Sequence, residues 1–147
     1  MNARTRFEAT RSYVIELREV QSLIMNGCDD WKPEQVGGGG ISDPTAAAAI
    51  EQLTDTAERL EELKKRESEL TYRIGETLVI IERVREGLGD EYASLLEQRY
   101  IDCLSWRDVE YGGKRVARST GSMRVQVAFD WIDSLGVSRV LNGEYEL

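Results

Sequence analysis

An all-α fold is predicted for this chain: a helical hairpin with one long coiled-coil-like helix, then a compact module of three short helices. Three observations predict it. Apolar residues recur at spacings of three and four over two long stretches, the pattern of helices with one buried face. Both prolines, Pro33 and Pro44, fall in one tract with Gly37 to Gly40, so the rest of the chain is free of the strongest helix breaker. Leu, Ile, Val and Phe fill 36 of 147 positions, enough to build a core and too many for a wholly disordered chain. That length suits one compact domain, or a small domain with an extended appendage, and excludes two large ones.

The first helix is expected over residues 5–25, on the stripe Phe7, Tyr13, Val14, Leu17, Val20, Leu23 and Ile24. Residues 26–43 read as a flexible linker. No Gly-Lys-Ser/Thr follows its four glycines and no strand precedes them, so they are not read as a phosphate loop. Ser42-Asp43-Pro44-Thr45 is a helix start, because a Ser or Asp oxygen accepts an orphan N–H while Pro44 forfeits nothing in the first turn. The long helix then covers residues 44–87. Its seam runs through Ala46, Ala49, Leu53, Thr56, Leu60, Leu63, Leu70, Ile74, Ile81, Val84 and Leu88, with Glu67 and Thr77 as interruptions and Gly75 as a candidate kink. A helix on the order of 65 Å long must bury that seam against the first helix, folded back through the linker, or against another subunit. Leu17, Val20, Ile24, Leu53, Leu60 and Leu63 are therefore expected to be buried. Part of Leu70 to Val84 needs a further partner, either the C-terminal helices or a second chain, so a homodimer or higher homo-oligomer is expected.

In the C-terminal third, Asp90 is read as the cap of a short helix carrying Tyr92, Leu95, Leu96, Tyr100 and Ile101. Ser105 with Asp108 three residues on makes a capping-box-like start for a second, which Gly112-Gly113 ends. A third runs to about Leu135 with Val125, Ala128, Phe129, Trp131 and Ile132, and stops at Gly136. Three short helices with a glycine turn between the last two are what a helix-turn-helix needs. The expected domains are a hairpin over 1–89, a helix-turn-helix module over 90–136 and a tail over 137–147.

The chain has no histidine, and Cys28 and Cys103 lack paired or metal-type spacing. This removes Cys/His zinc sites, imidazole general bases and Ser-His-Asp triads, so a non-enzymatic protein without metal or cofactor is expected. Carboxylate pairs such as Asp29-Asp30, Glu61-Glu62 and Glu58 with Glu62 read as solvated helix faces. No apolar run approaches the roughly 20 residues of a membrane span, and Met1 to Arg11 has no signal-peptide core, so a cytoplasmic chain with reduced thiols and no membrane partner is expected. The net charge of −8 opposes a phosphate partner, but it is unevenly spread. Asp43 to Glu91 holds 13 acidic and 7 basic residues, a balance of −6, whereas Arg99 to Phe129 holds 6 basic and 3 acidic, a balance of +3.

Leu95-Leu96-Glu97-Gln98-Arg99-Tyr100-Ile101, continued by Asp102-Cys103-Leu104-Ser105-Trp106-Arg107-Asp108-Val109, resembles the start of the sigma-factor region-four-like helix-turn-helix. That module occurs in small phage and prophage proteins, including the ArpU and RinA-like late-gene transcription regulators. Ala128 to Leu135 is similar to the end of their recognition helix, and the Asp43-Pro44-Thr45-Ala46 start with a long charged helix also recurs in them. The resemblance implies double-stranded DNA binding and transcriptional control in a phage, in a bacterial host cell, with RNA polymerase as a further partner. The chain departs from the pattern between Glu110 and Ser122. Relatives carry a small residue where Glu110 stands and an apolar anchor near Gly121, which is expected to pack nothing and to lower helicity by about 1 kcal/mol.

On this reading Lys114, Arg115, Arg118 and Arg124 clamp phosphates around the turn and the recognition helix, while Ser119 and Ser122 bond phosphates or base edges. Trp106, Tyr100 and Trp131 are assigned to the core. Cys103 stands where related proteins have a turn residue, often Gly, and is expected as a buried or half-buried free thiol. Two other functions fit the same residues: a protein–protein adaptor that keeps the fold but has lost DNA reading, and a virion assembly or packaging component whose long helix builds a ring.

Overall fold

The computed structural model describes residues 2–30 and 46–146. Among these the chain is all-α, 82% helical, with five α-helices and one pair of two-residue strands. Helix α1 spans Ala3–Asp30 and α2 spans Ala46–Gly87. Helix α3, Asp90–Leu96, continues as a π-helical turn over Glu97–Ile101. A single 3-10 turn, Trp106–Asp108, leads into strands β1, Glu110–Tyr111, and β2, Lys114–Arg115. Helices α4, Arg118–Leu135, and α5, Val137–Asn142, complete the order. The glycine-rich tract, both prolines and the Ser42 to Thr45 helix start lie outside the described residues.

Helix α1 begins earlier and ends later than its apolar stripe predicts, reaching Asp30 although the sequence reads as a linker from residue 26. Its start is set by Asn2, whose Oδ1 accepts the Thr5 N–H at 2.8 Å, the bond an N-cap side chain makes. Helix α2 stays helical through Gly75.

The chain forms two compact units, one of Met1–Ile15 with Thr71–Leu147 and the other Glu16–Leu70. The division falls inside both long helices. In the first unit Phe7, Tyr100 and Phe129 meet as an aromatic trio with centroids 5.4 to 5.8 Å apart. Around it lie Ile80, Ile81 and Val84 of α2, Leu95 and Leu96 of α3, Val109, then Val125 and Ile132 of α4. The helices α1 and α2 run antiparallel here, since Thr10 meets Thr77, Arg6 pairs with Glu76 at 3.3 Å and Arg73 stacks on Tyr13. Thr77 does not interrupt the seam. It is fully buried, and its hydroxyl bonds that of Thr10 at 2.7 Å, so each satisfies the other.

In the second unit the same two helices are joined by Arg66, which donates to both carboxylate oxygens of Glu16 at 2.5 and 2.9 Å. Val20 and Leu70 are buried, while Leu17, Ile24, Leu60 and Leu63 are half-buried. The side chain of Leu53 lies outside the description. Leu70, Ile74 and Ile81 are already covered within one chain, with Ile81 in the core shared with the C-terminal helices. That burial removes the need for a second chain at these three positions.

Three local expectations in the C-terminal third are corrected. Asp90 is not a cap: Gly89 precedes α3 and no side chain caps it, while the Asp90 carboxylate accepts from Arg85 Nε at 2.8 Å and from the Tyr111 hydroxyl at 3.2 Å. The second helix of the expected module is one 3-10 turn followed by a β-hairpin. Ser105 Oγ bonds Asp108 Oδ2 at 3.2 Å instead of a backbone N–H, and Val109 is extended. Gly112 and Gly113 have φ of 65° and 81°, the left-handed pair of a type I′ turn, so they close a hairpin pairing Glu110 with Arg115 and Tyr111 with Lys114. The expected tail contains α5, which buries Val140, and Tyr145 packs edge-on to Trp131 at 5.6 Å.

Candidate nucleic-acid interface

The hairpin is fixed to the helices beside it by two clasps. Gln98 donates through Nε2 to the Glu110 carbonyl at 2.7 Å and accepts the Glu110 N–H at 3.0 Å, and Tyr111 reaches Asp90 as above. Glu110 itself is exposed, so it carries no burial cost.

Trp106 is the platform of the site. Its indole edge lies against Gly121, where a Cβ would fall 2.3 Å from Cζ3. Gly121 is therefore buried and required: the absence of a side chain lets the tryptophan in, contrary to the expectation that this glycine packs nothing. The Arg99 guanidinium stacks over the same indole at 4.8 Å and donates Nη1–H to the Leu104 carbonyl at 2.7 Å. That carbonyl follows Cys103, which has the left-handed φ of 57° usual for glycine and a half-buried thiol, as its turn position implied.

A groove of about 710 Å³ opens here, lined by Arg99, Trp106, Arg107, Arg115, Ala117 and Arg118 among others. Four arginines thus line one concavity at the N-terminus of the 18-residue α4. The cap residue Ala117 offers no side-chain acceptor, which leaves first-turn N–H groups for an outside acceptor and adds the positive end of the helix dipole. Burial first, then the Arg11 guanidinium and also Arg118, push the Arg99 pKa below its ordinary value. Among the described residues no carboxylate bridges Arg107, Lys114, Arg115 or Arg118.

Of the expected site residues, Lys114 and Arg115 are exposed on β2, and Arg118 and Ser119 are exposed at the start of α4. Arg115 and Arg118 line the groove. Ser122 is exposed one turn further on and faces a different pocket. Arg124 forms an ion pair with Glu91 of α3 and is half-buried, so its charge is matched within the chain. Arg99 and Arg107 join the set, residues that sequence reasoning missed although both sit inside the Arg-Tyr-Ile and Ser-Trp segments. Their share of the +3 balance was the available signal. Arg11, which faces Arg99, had none, being 88 positions distant.

Among the described residues no group of three His, Cys, Asp or Glu side chains could hold a metal ion, and no helix is long and apolar enough to cross a membrane. Compared with protein-family models, curated proteins and solved structures, the chain matches none.

Proposed function

We propose that this chain is a non-enzymatic, double-stranded DNA-binding protein that acts as a phage or prophage transcriptional regulator. The observation that carries the reading is the groove beside Trp106, where four arginines without carboxylate partners meet the uncapped N-terminus of α4. Phosphate oxygens match planar guanidinium forks and first-turn N–H groups, the two donor types gathered here. Arg107, Lys114, Arg115 and Arg118 hold the DNA backbone, with the hairpin in the place of the positioning helix. The first two turns of α4 then enter the major groove, presenting Ser119, Ser122 and Met123 to base edges. The resemblance to ArpU and RinA-like regulators supplies the transcriptional role, in which the acidic α2 contacts RNA polymerase or a second copy of the chain.

Titration of a fluorescent DNA duplex of about two helical turns with the full chain at low salt tests this. Binding that weakens steeply as salt rises is expected, and a Ser119→Ala or Ser122→Ala change alters sequence preference rather than overall affinity. No duplex binding at low salt overturns the reading in favour of the adaptor function.

A further inference from the structure

Trp106 and Arg99 also border a second pocket, of about 390 Å³, whose other walls include Arg4, Glu8, Arg11 and Ser12 of α1 and Ser122 of α4. Three guanidinium groups face one carboxylate, so the concavity is cationic. Arg4 is engaged with Gln126 and stacked on Phe129 at 5.1 Å. Arg11 and Arg99 are different. The Nε atoms of both are shielded from solvent and donate to no acceptor among the described residues. Each therefore has a donor without a bond beside a like charge, and the Arg99 pKa is lowered by burial and by Arg11. Both side chains line the pocket, and an anion held in it offsets the repulsion between them. A tetrahedral oxyanion fits best, since its oxygens accept from two forks and from the Ser122 hydroxyl at once.

We propose that this pocket binds a small phosphate-bearing anion, for which inorganic phosphate is the minimal ligand and a phosphomonoester of mononucleotide size the fuller one. The volume lies within the range of small-molecule sites and exceeds what a bare ion occupies. The pocket shares Arg99 with the DNA groove and Ser122 with the proposed base-reading face, but its phosphate response is read without any duplex present, so it stands or falls apart from DNA binding.

The thermal midpoint of the full chain is followed as inorganic phosphate, then adenosine 5′-monophosphate, is titrated at constant ionic strength set with chloride. A saturable rise is expected for both, with half-saturation at lower concentration for the nucleotide. Arg11→Gln weakens half-saturation by about tenfold or more, while Arg139→Gln, an exposed arginine of α5 that lines neither pocket, leaves it unchanged. Arg99→Gln has the effect of Arg11→Gln if it folds; circular dichroism reports that, and Arg11→Gln decides the matter where it does not. A response that fails to saturate, or that is equal in wild type and Arg11→Gln, overturns the site.

Discussion

Two regions of the first unit hold arginines in opposite circumstances. Arg85 bonds Glu82, Asp90 and Glu97, and the first two carboxylates hold its pKa well above the ordinary arginine value. Arg124 is matched by Glu91 on the neighbouring helix. Around Trp106, by contrast, Arg11, Arg99, Arg107, Arg115 and Arg118 have no carboxylate bridge among the described residues, and burial and like charges lower the pKa of Arg99. The chain carries −8 overall, yet one part of its surface is cationic because the acids are spent elsewhere. Charge that remains after pairing, and not net charge, decides which surface meets an anion.

The largest test of the Trp106 region is Gly121→Ala. By helix propensity alone the change stabilises by about 1 kcal/mol. The Cβ would meet the indole at 2.3 Å, so a loss of about 1–3 kcal/mol in urea denaturation is expected instead. A gain in stability would show that Trp106 does not sit on Gly121.

Alkaline pH gives the next effect. Burial among Phe7 and Phe129 raises the Tyr100 pKa, with Tyr111 and Tyr145 shifted the same way. A raised folded-state pKa means that the stability linked to the neutral phenol is complete below about pH 10 and is lost as pH rises through the folded value. Urea midpoints should fall as pH climbs through and beyond about 10, and Tyr100→Phe should shrink that fall.

On the paired side the effects are small. Arg85→Ala should cost less than about 1 kcal/mol, since its partners are 42 to 62% exposed, and should leave duplex affinity unchanged. Glu91→Gln should release Arg124 and strengthen duplex binding by about twofold, with a slightly steeper salt dependence measured by anisotropy. Unchanged binding would place Arg124 outside the DNA surface even when it is free.

Periodicity made the helices legible. The seam residues Leu70, Ile74, Ile81 and Val84 are buried, and the stripe of α1 supplies Phe7, Val14 and Val20. It also made Thr77 look like a flaw, because a polar residue in a seam is satisfied only by a partner 67 positions away, Thr10. Gly112-Gly113 is equally suited to ending a helix and to closing a type I′ hairpin, and local sequence does not choose between them. The choice comes from the buried Val109 and from the Gln98 clasp, both tertiary. Half of the site could be read from its basic residues between Lys114 and Arg118. The pairing of Arg124 with Glu91 and the arrival of Arg11 beside Arg99 depend on helices meeting in space.

The most direct measurement compares the salt dependence of duplex binding in wild type and in the Arg115→Ala/Arg118→Ala double variant. Each neutralised phosphate contributes a slope of about −0.9 in log affinity against log salt. The double variant should therefore bind more weakly to every duplex and with a shallower slope, by about 0.9 for each phosphate that Arg115 or Arg118 no longer neutralises. The same affinity and slope in both proteins would contradict the assignment of this groove to DNA.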